Sequence, residues 1–212
     1  MTPPYPIMLH LDRRDVLLVG AGDVGLRKAA GLLEAGARVT AVSTAFSPEF
    51  LALPLERITE PYAPHHLALH PFTLVFAATS DPAVNARIRD DAAACNLLCC
   101  RCDAAADSDF AGAATARVGG ITIAVSTASG SPTIAAQVRD RLAAALDPAW
   151  PLLAQLLPAW RARAQQEITD PAARLRLLRH LASDEMLALA RSHGAPAAAA
   201  HFESLLAAAR SP

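Results

Sequence analysis

One stretch constrains this chain more than any other. Residues 15–20 (DVLLVG) form a compact apolar run, and Gly20-Ala21-Gly22-Asp23-Val24-Gly25 follows at once. Over residues 24–35 the apolar positions return at helical spacing, and Gly36 fits a C-terminal cap. Residues 38–43 (RVTAVS) read as a second strand. Strand, glycine turn, helix and strand make one βαβ unit, whose crossover makes the two strands parallel. Gly20, Gly22 and Gly25 fill the three positions of a G-x-G-x-x-G pattern. The first permits a tight turn, the second lets backbone approach a pyrophosphate, and the third lets helix and strand pack closely. The helix N-terminus adds N–H donors and partial positive charge. The pattern alone is weak, but here it lies between a strand and a helix, which is the context a nucleotide site requires.

The alternation continues. Residues 72–79 (FTLVFAAT) read as a strand buried on both faces. Asp81-Pro82 opens a helix to about Cys95, with Pro82 in its first turn, and residues 97–102 are the next strand. The expected fold is α/β, a Rossmann-like doubly wound parallel sheet. After Asp103 the pattern changes. Residues 110–118 and 121–127 are apolar runs joined by Gly119-Gly120, the signature of a β-hairpin. Ser131 as N-cap and Pro132 in the first turn predict a helix to about Leu146. From Pro148 onward, residues 152–164, 171–181, 184–192 and 195–208 read as short amphipathic helices, broken by Pro158, Gly194 and Pro196. The expected organisation is a nucleotide-binding domain over 1–112, a hairpin-and-helix segment over 113–147, and a helical domain over 148–212.

Composition narrows the function classes. With 212 residues, 53% of them hydrophobic, the chain can build a sizeable core. A net charge of −1 gives no basic field for nucleic acid or an anionic membrane, so neither partner is expected. No run approaches the roughly 18 apolar residues of a spanning helix. Residues 1–14 lack a basic-then-apolar leader pattern, so a cytoplasmic location is expected. The cysteines, Cys95, Cys99, Cys100 and Cys102, match neither a secreted disulfide framework nor a zinc spacing. Adjacent strand residues point to opposite faces, so Cys99 and Cys100 are expected as small buried side chains. His65, His66 and His70 have no recognisable second ligand set, and no metal site is expected. Lys28 is the only lysine among 19 basic residues. Arg27 and Lys28 lie in the first two helical turns, where a cation opposes the macrodipole. They read either as solvated side chains covering apolar surface or as contacts to an anionic ligand.

One part of the fingerprint is missing. NAD sites usually carry Asp or Glu at the end of the second strand to hold the ribose. Here that strand ends Val42-Ser43-Thr44-Ala45, where Ser43 or Thr44 can bond a ribose. No arginine follows to favour a 2′-phosphate, so the residues alone leave NAD and NADP open.

Several strings together resemble the precorrin-2 dehydrogenase family, which includes the N-terminal part of siroheme synthase and stand-alone dehydrogenase/ferrochelatases. They are Tyr5-Pro6-Ile7, VLLVGAGDVGLRKAAGLLEAGARVTAVS (16–43), FAATSDPAVNARI (76–88), Asp103, Phe110 and ITIAVSTASGSPTIAAQVRDRL (121–142). The resemblance implies oxidation of precorrin-2 to sirohydrochlorin with NAD as hydride acceptor, and in some members ferrous iron insertion to give siroheme. It implies that NAD contacts Asp23 and Val24 in the turn, Thr44 and Ala45 after the second strand, and Ala78 and Thr79 after the third. It also implies a homodimer, which the Leu- and Ala-rich tail supports. Fused siroheme synthases continue into a methyltransferase, an activity not expected here.

Asp103 matches the family's proposed catalytic aspartate. It also lies just past the C-terminal end of a parallel strand, where open α/β sheets place ligands. A carboxylate there can take the proton lost on oxidation, or pyrrole N–H protons during iron insertion. Asp107 and Asp109 are nearby like charges that would raise a neighbour's pKa, and they read as solvated turn residues. A tetrapyrrole rich in carboxylates calls for hydroxyls and N–H groups. Ser126, Thr127 and Ser131, on the loop into the Pro132 helix, are the substrate-side candidates. Arg101 and Arg117 are either its partners or solvated surface. The sequence departs from the family on this side. Cys100 stands for an asparagine, Ala113 for a proline, and Ala128-Ser129 for a Gly-Gly. These departures motivate an alternative, a non-catalytic NAD- or tetrapyrrole-binding protein derived from the family.

Overall fold

The computed structural model describes residues 4–127 and 131–210. The chain divides into two compact units, Met1–Gly112 and Ala113–Pro212.

The first unit contains β1 (Asp15–Val19), α1 (Asp23–Glu34), β2 (Arg38–Ser43), α2 (Pro48–Leu51), β3 (Glu56–Thr59), β4 (Leu74–Ala77), α3 (Pro82–Ala94) and β5 (Leu98–Arg101). All five strands are parallel, in the order β3-β2-β1-β4-β5. The chain leaves β1 toward β2 on one side and returns to β4 on the other. The switch point is therefore the C-terminal edge between β1 and β4. Strand alternation builds two cores. Val16, Leu18, Phe76 and Cys100 pack with Ala29 and Leu32 of α1 on one face. Leu17, Val19, Val75 and Cys99 pack with Ile88 and Ala92 of α3 on the other. Cys99 and Cys100 thus face opposite layers, as the strand period dictates.

β3 and α2 are not marked in the sequence. β3 is an edge strand whose Glu56-Arg57-Ile58-Thr59 is mostly exposed, so no apolar alternation marks it. α2 is a single turn, capped by Ser47. The strand expected over 72–79 narrows to Leu74–Ala77. At the N-terminal ends of the strands, Arg38 holds the buried Asp15 by two bonds of 2.7 Å, and Thr40 donates to Glu56 at 2.7 Å.

The second unit contains β6 (Ala114–Val118), β7 (Ile121–Val125), α4 (Pro132–Ala145), α5 (Ala149–Glu167), α6 (Pro171–His180) and α7 (Asp184–Arg210). β6 and β7 form the expected antiparallel hairpin, with Val118 opposite Ile121. Gly119 takes φ 59°, and a Cβ there would lie 2.8 Å from Pro151 of α5, so glycine is required twice over. The first run starts as a strand only at Ala114. Phe110 instead packs edge-on to Phe76, with centroids 5.3 Å apart. α5 runs unbroken through Pro158, contrary to the expected break. Proline removes one helical bond, but Trp160, Leu153 and Ala164 are buried on both sides of it and hold the helix together. α7 is interrupted at Gly194 (φ 72°, ψ −169°), where the sequence marks a break. Phe202 is fully buried and stacks on Trp160 at 4.9 Å and 8°. Among the described residues, no helix is long and apolar enough to cross a membrane.

Deleting the Phe202 ring leaves a cavity that neighbouring helices fill only in part. Phe202→Ala is expected to lower stability by about 3–5 kcal/mol, read as a lower midpoint in chemical denaturation.

Candidate functional site

The site is built at the C-terminal edge of the parallel sheet. Gly20 leaves β1 at φ 104°, and its N–H donates to the Val42 carbonyl at 2.9 Å. A Cβ on Gly20 would sit 2.4 Å from the Ala78 carbonyl oxygen, so the turns after β1 and β4 meet backbone to backbone. A Cβ on Gly25 would sit 2.1 Å from the Gly20 carbonyl oxygen, which brings the first turn of α1 onto that loop. Gly22 is the opposite case. Nothing among the described residues lies within 4 Å of where its Cβ would be, so its backbone faces open space. Gly22 is also the N-cap of α1, with no side-chain bond to the free N–H groups. Ser47, Asp81, Ser131 and Asp170 do cap their helices. Asp23 and Val24 begin α1, both exposed.

These features fit a dinucleotide: bare backbone at Gly22 and N–H donors with no side-chain cap among the described residues. Ser43 ends β2, and Thr44 and Ala45, both exposed, continue the edge beyond it. Ala78 donates its N–H to the Val19 carbonyl at 2.8 Å. Thr79 is fixed by Asn85, a residue of the FAATSDPAVNARI string whose role only the structure shows. Asn85 is 1% exposed. Its Oδ1 accepts from the Thr79 N–H at 3.0 Å and hydroxyl at 2.7 Å, and its Nδ2 donates to the Thr79 carbonyl at 3.1 Å.

Asp103 lies two residues past β5, and its side chain is 27% exposed. Its carboxylate accepts from Arg101 Nη2 at 2.9 Å and Nε at 3.3 Å. The Arg101 guanidinium, with smaller help from its own backbone and the Asn85 amide, holds the Asp103 carboxyl below its usual range. The rise expected from Asp107 and Asp109 does not occur, because Arg101 also takes Asp107, at 2.6 Å, and its cation dominates. Arg101 is therefore committed to two carboxylates. Asp109 is structural too: its Oδ2 accepts the Cys99 N–H at 2.9 Å.

Lys28 turns inward over the first unit's core. Its Nζ lies 5.6 Å from the Phe76 ring centroid, a cation–π contact, and 2.8 Å from where a Gly112 Cβ would be. A bond from Cys102, and then the Lys28 charge, hold the Cys100 thiol below its usual range. Burial pushes Cys99 up to about 12, which leaves it an unreactive thiol.

In the second unit, Thr127 Oγ1 accepts the Ser131 N–H at 3.0 Å, and Ser131 Oγ accepts the Ile134 N–H at 3.4 Å. These two hydroxyls shape the entry to α4, and Ser126 is exposed. Ala128 and Ser129 lie outside the described residues. His66 is buried, with Nδ1 accepting the Ala63 N–H at 3.0 Å and Nε2 bonded to Glu60 at 2.5 Å. His70 pairs with Glu56 at 3.0 Å.

Residues 7–114 match the family described as "Putative NAD(P)-binding". Siroheme synthase of Tolumonas auensis is 34% identical over 174 residues, 81% of this chain and 36% of that protein. Siroheme synthase of Shigella boydii serotype 18 is 33% identical over 187 residues, 86% of this chain and 40% of that protein. The chain thus spans well under half the length of these curated relatives. A solved structure described as SirC, precorrin-2 dehydrogenase, superposes with a TM-score of 0.78 at 22% identity, covering 97% of this chain and all of that one. The chain belongs to the putative NAD(P)-binding family, and the likeness of its motifs to the precorrin-2 dehydrogenase and siroheme synthase family is borne out.

Proposed function

We propose that this protein oxidises precorrin-2 to sirohydrochlorin, with NAD as the acceptor, within siroheme synthesis. The observation that carries this reading is a convergence on one sheet edge. The Thr79 loop, which lies against Gly20 beside the bare N-terminus of α1, and the Asp103 carboxylate fixed by Arg101 both adjoin the buried Asn85. The siroheme synthases and the precorrin-2 dehydrogenase among the similar proteins support the choice of substrate.

Bound NAD would supply the hydride acceptor. The backbone N–H groups after Gly22 would bind its pyrophosphate, with Asp23 and Val24 lining the turn. Ser43, Thr44 and Ala45 would hold the ribose without a carboxylate, and Ala78 and Thr79 would flank the nicotinamide side. Oxidation removes one hydride and one proton from the tetrapyrrole. Asp103, ionised at neutral pH, would receive the proton and pass it to solvent. Ser126, Thr127 and Ser131 would meet substrate carboxylates by hydroxyl and N–H bonds. The same carboxylate would accept pyrrole N–H protons during ferrous iron insertion. Anaerobic siroheme formation above the uncatalysed rate is the measurement that would add that activity.

We also infer a homodimer. Ile134, Val138 and Leu142 are 51%, 39% and 50% exposed on α4. Their i, i+4, i+8 spacing makes one apolar stripe along the helix. Val138→Asp is expected to convert a sedimenting dimer to monomer at micromolar concentration, and a wild-type monomer there would overturn the inference.

The assay is sirohydrochlorin formation from precorrin-2 with NAD and NADP in parallel. Turnover with NAD is expected, and tight binding without turnover would select the non-catalytic alternative. Asp103→Asn should lower kcat by about 10²–10⁴-fold, and full activity in it would remove Asp103 from the mechanism. The depressed pKa keeps Asp103 ionised as pH falls through the usual carboxylate range. Arg101→Gln removes the main cause, so the acid limb of kcat/KM should move to higher pH.

A further inference from the structure

We propose that the second unit carries a binding site for one divalent first-row transition ion, formed by His180, Glu185 and His201. His180 Nε2 lies 3.2 Å from His201 Nε2 and 3.6 Å from Glu185 Oε2. One ligand atom from each residue lies within 4.8 Å of the other two. Two imidazole nitrogens on one tetrahedral zinc, each at ~2.0–2.1 Å, stand about 3.3–3.4 Å apart. The histidine pair therefore already has the bite of a bound ion, and a small turn of the exposed Glu185 completes three ligands. Imidazole and carboxylate together select zinc, cobalt, nickel or ferrous iron over magnesium or calcium.

The fold assembles these residues from three places. His180 is the last residue of α6, at the helix C-terminus, whose dipole carries partial negative charge that favours a cation. Glu185 is in the first turn of α7. His201 is sixteen residues further on, about 24 Å along an uninterrupted helix. It reaches Glu185 only because the chain turns back at Gly194. An ion here would tie the end of α6 to both halves of α7. Side-chain exposures of 31% for His180 and 68% for Glu185 leave the site open to solvent, with coordination positions for water.

The first unit offers a contrast in Glu60, His65 and His66. There His66 Nδ1 accepts the Ala63 N–H, so Nε2 carries the proton and gives it to Glu60. A metal on that nitrogen would need an imidazolate. His180 and His201 make no such backbone bond among the described residues.

The test uses the untagged full chain, stripped of metal by chelator and titrated with cobalt(II). One ion per chain is expected, with visible d–d absorption of nitrogen and oxygen ligation and a raised Tm. His201→Ala and His180→Ala should each weaken binding by about tenfold or more, and His65→Ala should leave it unchanged. His180→Gln serves if a truncation fails to fold as judged by circular dichroism. The proposal is overturned by no saturable binding below millimolar cobalt, or by wild-type affinity in either folded His201 or His180 variant. Loss of binding in His65→Ala, or a thiolate-to-cobalt charge-transfer band, would overturn it equally.

Discussion

Everything at the candidate site depends on one close approach, that of Gly20 to the Ala78 carbonyl. A side chain at position 20 would overlap that oxygen at 2.4 Å, and φ 104° already restricts the residue to glycine. The contact lets the loops leaving β1 and β4 lie against each other at the switch point. Gly25 then packs on the Gly20 carbonyl, which brings the first turn of α1 over the sheet edge. The sheet register contributes as well, since Gly20 bonds to Val42 and Ala78 bonds to Val19. The open space beside Gly22, among the described residues, is the remainder of a tightly packed corner. It exists because its two neighbouring glycines are filled in and it is not.

Asn85 extends that corner to the chemistry. A buried amide is costly unless its donors and acceptor are used. Here three bonds to Thr79 satisfy most of it, and its amide also helps lower the pKa of the Asp103 carboxyl, chiefly set by Arg101. The loop flanking the nucleotide edge and the candidate proton acceptor therefore share one buried partner on α3. Arg101 performs the complementary task from β5, spanning Asp103 and Asp107 with one guanidinium. A planar fork suits two carboxylates at once, and a lysine would not.

The glycine turn, the parallel strands and the hairpin were legible in the sequence because each has a local cause: backbone sterics, alternation, or a two-residue turn. The opposite facing of Cys99 and Cys100 followed from strand period alone. β3 was not legible, since an exposed edge strand needs no apolar pattern. The persistence of α5 through Pro158 was not legible either, because burial of Trp160 and Leu153 outweighs one lost bond. At the site, like-charge reasoning about Asp103 failed for a related reason. Sequence neighbours Asp107 and Asp109 suggested repulsion, while Arg101, two residues back along the strand, reaches the same carboxylate in space. The meeting of His180 with His201 is wholly tertiary, created by the reversal at Gly194.

Lys28 gathers these threads. It is the one lysine among 19 Lys and Arg residues, and its surroundings supply a local reason for it. Its ammonium lies above the Phe76 ring, and even a methyl group at Gly112 would come within 2.8 Å of it. A compact point charge fits that space, whereas a guanidinium is broader and planar. The same ammonium stabilises the thiolate form of Cys100, which stands where the resembling family has an asparagine. The departure from the family and the exceptional lysine are therefore one local arrangement. It lies on the α1 face of the sheet, where Phe76 and Cys100 pack.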